Sequence, residues 1–394
     1  MTGSESAAAQ RWAGDWAGGA LLREALAAEL PGAVALRREL HAQPCLSGEE
    51  GPTLKRVLEA LPGAQLEYVA ETGAVLRIGG PGPAVAVRGE LDALPISERT
   101  GVPWAAVNGA MHACGHDVHL AAVVALAGAL SRVQAAKPLV VVLQPREESY
   151  PSGALDVVRS GALERHQVAA MVGAHVQPVL DSGVVSCTPG AVNASSDEFE
   201  VIVTGAEGHA AYPHLTRDPV VAMAQVIVAA QQLVSRAADP MVPTVVTFGT
   251  VNAGTAPNAV PGEAVARGTL RTMSETWREA LHDRFTQVVR DVARAHGCAA
   301  EVRIVRGEPV LVNDSALAVR TGELLRHAGR TVTEELRSCG ADDFAYYGAI
   351  APSLMMFVGV DTAAGLHSPE FLPGDDDVAA VAEALLAGYL TAAG

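Results

Sequence analysis

The sequence is short of positive charge. Its 28 Lys and Arg stand against 44 Asp and Glu, a formal net charge of -16. A nucleic-acid binder needs clustered cations to neutralise phosphates, so that class is excluded, and an anionic membrane surface is disfavoured. The acidity itself reads as a device for solubility. Cysteine is also scarce: Cys45, Cys114, Cys187, Cys298 and Cys339 are odd in number and widely spaced. They make no disulfide framework, and without a CxxC pair there is no zinc ribbon. No basic start precedes an apolar leader core, and Asp15 sits where that core would be. Apolar runs such as Leu120–Leu130 are too short to span a bilayer. The expected location is the cytoplasm, with neither nucleic acid nor membrane as a partner.

The chain does have material for large cores. Of its 394 residues 49% are hydrophobic, which suggests two or three domains. The first ~18 residues are polar or small and are expected to fray. Gly19–Glu39 reads as helical. Beyond it, runs at Ala84–Arg88, Pro138–Gln144, Val168–His175 and Ser353–Val360 are nearly continuous in apolar residues, as in strands buried on both faces. Helical stretches alternate with them, at Asp117–Ala136 and Ser152–Arg165. The expected fold is therefore α/β with a doubly wound sheet. Between Ser195 and Val305 the order changes. Strands are expected at Glu198–Thr204, Pro243–Val251, Ala264–Arg271 and Ala300–Val305, and helices at Pro219–Arg236 and Glu275–His296. That β-α-β-β-α-β order is a ferredoxin-like α+β unit. It reads as an insertion at 195–305 that divides a first domain into 1–194 and 306–394.

Sites in open α/β sheets lie beyond the carboxyl ends of the strands. Here those ends lead to Glu90 and Asp92, to Glu147 and Glu148, to His175 and to His367. The densest cluster is Met111-His112-Ala113-Cys114-Gly115-His116-Asp117-Val118-His119. Thiol and imidazole are the usual ligands of zinc and related divalent metals. Cys114 and His116, two apart, face the same way in a loop. Gly115 permits a tight turn. A helix starting at Asp117 would point its N-terminus at the thiol and favour the thiolate. Accidental His and Cys in a loop is the bland alternative. The pair Glu147-Glu148 can divide labour at a metal, one carboxylate binding and the other moving a proton; alone it would be an ordinary acidic turn. In the insertion, His209 lies on a Gly-rich loop and could polarise a carbonyl. Arg271 could clamp a substrate carboxylate, although a surface Arg is the blander reading, and Asn258 is weaker still.

Taken together these segments resemble the co-catalytic metallopeptidases of the aminoacylase and carboxypeptidase G kind. The resemblance is nearest to the branch of hippurate hydrolase, indoleacetyl-amino-acid hydrolase and N-acyl-aminoacid carboxypeptidases. It is carried by RRELHAQPCLSGEE from Arg37, LDALPI from Leu91, MHACGHDVH from Met111, QPREE from Gln144, GAHVQP from Gly173, GHAAYPH from Gly208, PNAVP from Pro257, GADDFAYY from Gly340 and LHSPEF from Leu366. These run in family order along nearly the whole chain. The resemblance implies a zinc-peptidase-like catalytic domain with an inserted lid and dimerisation domain, and a homodimer through that lid. It implies two divalent metal ions per subunit, Zn, Mn or Co, held by Cys114, His116, Glu148, His175 and His367. Glu147 is implied as the general base of a metal-activated water, and His209 as the group that polarises the carbonyl, often across the dimer. Asn258 and Arg271 would hold substrate, and Asp92 would orient a ligand. The substrate would be a small N-acyl amino acid or short peptide.

The sequence departs from the family pattern at Cys45, at Arg88-Gly89-Glu90, at Arg146, at Ser149-Tyr150-Pro151-Ser152 and at Ala341-Asp342-Asp343. None removes an implied ligand or the base. Arg146 and Tyr150 fall beside the glutamate pair, where they bear on substrate class and metal preference. A catalytically inactive homologue that binds metal or an acyl amino acid is the alternative function. A structural zinc protein would need a closed four-ligand site and would unfold with chelator.

Overall fold

A computed structural model describes residues 4–63, 65–133 and 136–394, with side chains from Leu21 onward. The expectation of a frayed start falls on side chains outside the described residues. The chain divides into two compact units. One comprises Met1–Gly190, Val312–Leu336 and Tyr346–Gly394; the other comprises Ala191–Leu311 and Arg337–Ala345.

The first unit is built on an eight-stranded sheet. In spatial order its strands are Gln65–Val69, Gly73–Ile78, Leu139–Gln144, Ala84–Glu90, Val168–Gln177, Ser353–Gly359, Val185–Ser186 and Val332–Thr333. The four central strands run parallel. Every residue of Ala84–Glu90, Leu139–Gln144 and Ser353–Gly359 is buried, as in strands covered on both faces, and Ala84–Glu90 buries the charged Arg88 and Glu90 at its end. The sheet is mixed rather than purely parallel: Gly73–Ile78 and Gln65–Val69 form an antiparallel edge. The sequence reading missed this hairpin. Its turn takes positive φ at Ala70 and Glu71, where Asn or Gly is usual, so no turn signal marked it.

Helix His116–Arg132 lies in the core, with Val118, Leu120, Ala122, Val123 and Leu126 buried. It packs against the long helix Ser4–Ala42 and the C-terminal helix Asp376–Ala393. Each such Leu or Val contributes about 1.5–3 kcal/mol by leaving water, so the first turn of this helix is held on a rigid support. The helix expected over Ser152–Arg165 is broken into Gly153–Arg159 and Ala162–Arg165 by Gly161 in the left-handed region, φ 71°.

The second unit carries a four-stranded antiparallel sheet, ordered Thr244–Ala253, Glu263–Thr272, Ser195–Thr204, Ala299–Arg306. Counted along the insertion this is the 2-3-1-4 order of a ferredoxin-like unit. Helices Pro219–Ala230 and Glu275–Ala295 bury Ala222, Met223, Val226, Leu281, Phe285 and Val289 in one cluster with sheet residues such as Phe199 and Val201. The stretch Pro219–Ala237 is long and apolar enough to cross a bilayer by composition alone. One side of it is in that cluster, while Val220, Val221 and Val228 are exposed.

A buried ion cluster ties this unit together. Asp197 accepts from Arg278 Nε at 2.9 Å and Nη2 at 2.5 Å, from His282 Nε2 at 2.7 Å and from Gly307 N at 3.2 Å. Burial pushes the Asp197 carboxyl up, but Arg278 and His282 outweigh it and hold it at about 2, below the ordinary 3.8. The stabilisation is therefore present above the ordinary value and is lost as pH falls through about 2. Asp197→Asn is expected to cost about 1.5–3 kcal/mol at neutral pH, because the Arg278 guanidinium loses its buried carboxylate and keeps only Glu275 and the Gly307 carbonyl. Thermal melts from pH 5 to 2 are the check: the variant should show a flatter acid limb than the parent.

Candidate metal centre

The centre begins at the turn Cys114-Gly115. Gly115 has φ 83°, and a Cβ there would meet Val176 Cγ2 at 2.4 Å. Only glycine fits, and its carbonyl accepts from the amides of Val118 and His119 to open the helix. This turn sends Cys114 and His116 to one point. With His175 their ligand atoms lie within 4.8 Å of one another. His175 comes from the end of Val168–Gln177, and its Nε2 is 3.5 Å from Cys114 Sγ. Each imidazole has its other nitrogen committed. His116 Nδ1 donates to the Asp92 carbonyl at 2.8 Å, and His175 Nδ1 to the Val176 carbonyl at 2.6 Å. Both rings therefore present an Nε2 lone pair, the form in which imidazole binds metal.

The second contribution is the turn after Leu139–Gln144. Arg146 takes φ 48°, strained for a side-chain-bearing residue. The strain is held from several sides. Arg146 N donates to Glu50 Oε1 at 2.9 Å, and its carbonyl accepts from Gly153 N at 3.1 Å. A Cβ at Gly153 would sit 1.6 Å from the Pro145 carbonyl oxygen, so glycine is required there as well. Glu148 N then donates to Asp92 Oδ2 at 2.9 Å, which also accepts from Ser47 Oγ at 2.7 Å. Glu147 Oε2 ends 3.6 Å from His116 Nε2. Ligand atoms of His116, Glu147 and Glu148 are mutually within 4.8 Å.

His367 arrives from the C-terminal part of the unit. It has φ 63° and its amide donates to the Ala113 carbonyl at 2.9 Å, beside the thiol. Its Nε2 is 3.2 Å from Glu148 Oε1. Cys114, Glu148 and His367 form another triple within 4.8 Å. Cys114 thus belongs to two triples at once, with His116 and His175 on one side and Glu148 and His367 on the other.

The two remaining imidazoles of the His-rich segment are not part of these triples. His112 is buried and neither ring nitrogen has a hydrogen-bond partner among the described residues; burial pushes it down to about 3. His119 is bonded through both nitrogens. Asp117 points to the far side, where Arg37 Nε at 2.7 Å and His41 Nδ1 at 2.9 Å hold it. The roles of Glu50, Ser47, Arg37 and His41 escaped the sequence reading. Their only signal was charge or polarity inside the quoted segment RRELHAQPCLSGEE.

Arg146 does not face the centre. Its guanidinium donates to Pro151 O at 3.2 Å, Ala70 O at 3.2 Å and Asp156 Oδ2 at 2.5 Å, closing the turn from behind. Its contacts back the turn that carries the glutamate pair. Tyr150, next in the same departure, is exposed.

In the second unit, His209 lies on the strand Gly208–His209, paired with Ala259–Val260. The amide of Ala211 donates to His209 Nδ1 at 3.1 Å, which leaves the proton on Nε2. Asn258 adjoins this loop, its carbonyl accepting from Ala210 N at 3.0 Å. Arg271, on Glu263–Thr272, donates to the Cys339 carbonyl at 3.0 Å.

Charge completes the picture. Burial pushes the Cys114 thiol well up, and Glu148 and Glu147 push it further. Burial lowers His116, but Glu90, Asp92 and Glu148 turn the net shift upward. His116 Nε2 and Asp92 Oδ1 are buried with no hydrogen-bond partner among the described residues. A buried thiol, imidazole lone pairs and carboxylates converging on one point, with a ligand atom left unsatisfied, fit divalent metal.

Residues 86–390 match the model of peptidase family M20/M25/M40. An N-acetyl-L-cysteine deacetylase of Bacillus subtilis is 36% identical over 346 residues, 86% of this chain and 82% of that protein. An N-acetyldiaminopimelate deacetylase of Exiguobacterium sibiricum is 32% identical over 354 residues, 88% and 95% of the two chains. Among solved structures, a dinuclear metal binding peptidase of the M20 family from Bacillus subtilis superposes with a TM-score of 0.82 at 29% identity, covering 92% of this chain and 98% of its own.

Arg146→Met is expected to lower stability by about 2 kcal/mol, through carbonyls left unpaired. It should leave the ratio of kcat/KM values across a panel of N-acyl amino acids unchanged. Melting temperature and that ratio are the two measurements.

Proposed function

Because this chain belongs to peptidase family M20/M25/M40, we propose that it is a deacylase of N-acyl amino acids that works with two divalent metal ions and Glu147 as general base. The observation that carries this reading is the shared thiol: Cys114 lies within 4.8 Å of two separate pairs of donors, His116 with His175 and Glu148 with His367. Such an arrangement suits a ligand common to two ions. The relatives named as deacetylases of N-acetylcysteine and N-acetyldiaminopimelate support a small acyl group on an amino acid as substrate.

When bound, the ions supply Lewis acidity, polarising the scissile carbonyl and lowering the pKa of a water to about 7. The chain supplies the rest. Glu147, on the turn held by Glu50 and Asp92, accepts the proton of the attacking water and returns it to the leaving nitrogen. Attack of the water forms the new C–O bond and turns the carbonyl oxygen into an oxyanion; collapse of that oxyanion breaks the C–N bond, giving a carboxylic acid and a free amine. His209, with its proton on Nε2, donates to the developing oxyanion, and Asn258 and Arg271 hold the substrate. Asp92 orients His116 through its carbonyl and the Glu148 amide through its carboxylate. We assign the catalytic role to the first unit and the lid and dimerisation role to the second. The exposed valines 220, 221 and 228, and the sheet edge at Thr244–Ala253, favour a second copy of this chain as partner.

The test is a panel of N-acetyl and N-benzoyl amino acids assayed with added manganese or zinc. Turnover is expected, and its absence on every substrate would favour the inactive homologue. Glu147→Gln should reduce kcat by at least about 10²–10⁴-fold while metal content stays near that of the parent. His209→Ala should cost about 10²–10³-fold in kcat, the loss of one oxyanion donor. Sedimentation velocity should show a dimer that Val228→Glu weakens.

A further inference from the structure

Three buried residues beside the centre have no part in the mechanism above. Arg88, Glu90 and His119 are 2%, 1% and 1% exposed. Glu90, His119 and His175 offer atoms within 4.8 Å of one another, a spacing that would suit a further metal ion. The hydrogen bonds argue otherwise. Val176 N donates to His119 Nε2 at 2.9 Å, so that nitrogen carries no proton. The proton is on Nδ1, which donates to Glu90 Oε2 at 3.2 Å. The other Glu90 oxygen accepts from Arg88 Nη1. Both His119 nitrogens are occupied by protein, which leaves that imidazole no lone pair for an ion, and each Glu90 oxygen already accepts a hydrogen bond.

The same contacts converge on His175. Val176 is gripped at its amide by His119, while its carbonyl takes the Nδ1 proton of His175 at 2.6 Å. The His119 and His175 rings also pack directly, with centroids 4.6 Å apart and planes at 58°. We propose that Arg88, Glu90 and His119 form a positioning relay that fixes the ring orientation and tautomer of His175, rather than a further metal site. Arg88 supplies the charge that lets Glu90 stay ionised in the core. Glu90 holds the proton on His119 Nδ1. His119 then accepts the Val176 amide and braces the His175 ring, so that Nε2 of His175 faces Cys114 Sγ. The relay joins the strand Ala84–Glu90, the helix His116–Arg132 and the strand Val168–Gln177 in one buried chain of bonds. It rests on the reading that Cys114 and His175 hold metal.

The experiment compares the full-length parent, His119→Gln, Glu90→Gln, Glu90→Asp and Cys114→Ala. Zinc binding to the metal-free proteins is measured by calorimetry, and the cobalt-loaded proteins by absorption spectroscopy. His119→Gln is expected to bind zinc 10–100-fold more weakly, the usual effect of losing a partner that orients a metal-bound histidine. Its cobalt spectrum should be altered while its stoichiometry is unchanged. Glu90→Gln should move both readouts in the same direction, and Glu90→Asp, which keeps the charge, should restore part of each. Parental affinity and spectrum in His119→Gln would overturn the relay. So would the loss of one metal equivalent, which would mean a further ion had been bound there. Failure of both His119→Gln and Glu90→Gln to fold would place these residues in stability alone and equally overturn it. The Cys114→Ala control separates this from the parent reading: if it leaves zinc binding intact, the centre itself is wrong, whereas loss there with no change in His119→Gln defeats only the relay.

Discussion

The structure depends on one constraint: a buried thiol surrounded by acid groups must meet a positive charge. Cys114 sits just before a core helix, and Glu148, Glu147 and Glu90 all act on its thiol. No lysine or arginine is seen among the described residues to hydrogen-bond or pair with Glu148 or the Cys114 sulfur. The nearby arginines are used elsewhere, Arg88 on Glu90, Arg37 on Asp117 and Arg146 on the back of its turn. An excess of carboxylate facing a buried thiol is costly without a cation, and metal binding is the arrangement that turns this cost into affinity.

Rigidity behind the centre follows the same logic. Four of the five candidate ligands are backed by a bond that leaves them little freedom: His116 on the Asp92 carbonyl, His175 on the Val176 carbonyl, Glu148 through its amide on Asp92, and His367 through its amide on Ala113. Arg146, next to the glutamates, and His367 itself have positive φ. Backbone strain of this kind, on the order of 1–3 kcal/mol per residue, persists where surrounding contacts over-determine it, and such places cluster at active sites. The core helix and the parallel strands provide the support, so the cost is spread over a large hydrophobic core.

Much of this was legible in the sequence. Continuous apolar runs located the central strands, because strands buried on both faces cannot hide their composition. The order of strands and helices in the insertion was equally readable. Strand ends pointed to one edge carrying Glu147-Glu148, His175 and His367 near the Cys114–His116 cluster, and the set Cys114, His116, Glu148, His175 and His367 was what the family resemblance implied. What stayed hidden depended on contacts between distant segments. Nothing local distinguishes His119, whose two nitrogens are used, from His116, whose Nε2 is left open. Arg146 reads in the sequence as a departure beside the glutamates that bears on substrate class and metal preference; that its guanidinium turns to Pro151 and Asp156 depends on contacts no local pattern announces. The edge hairpin at Gln65–Ile78 was invisible because its turn lacks the residues that usually mark one.

The most direct measurement is anomalous diffraction at a metal absorption edge, from crystals grown with manganese or zinc. Two peaks about 3.5–4 Å apart, both within bonding reach of Cys114 Sγ, are the result this account requires. A single peak remote from that sulfur, or a peak seated between Glu90 and His119, would contradict it.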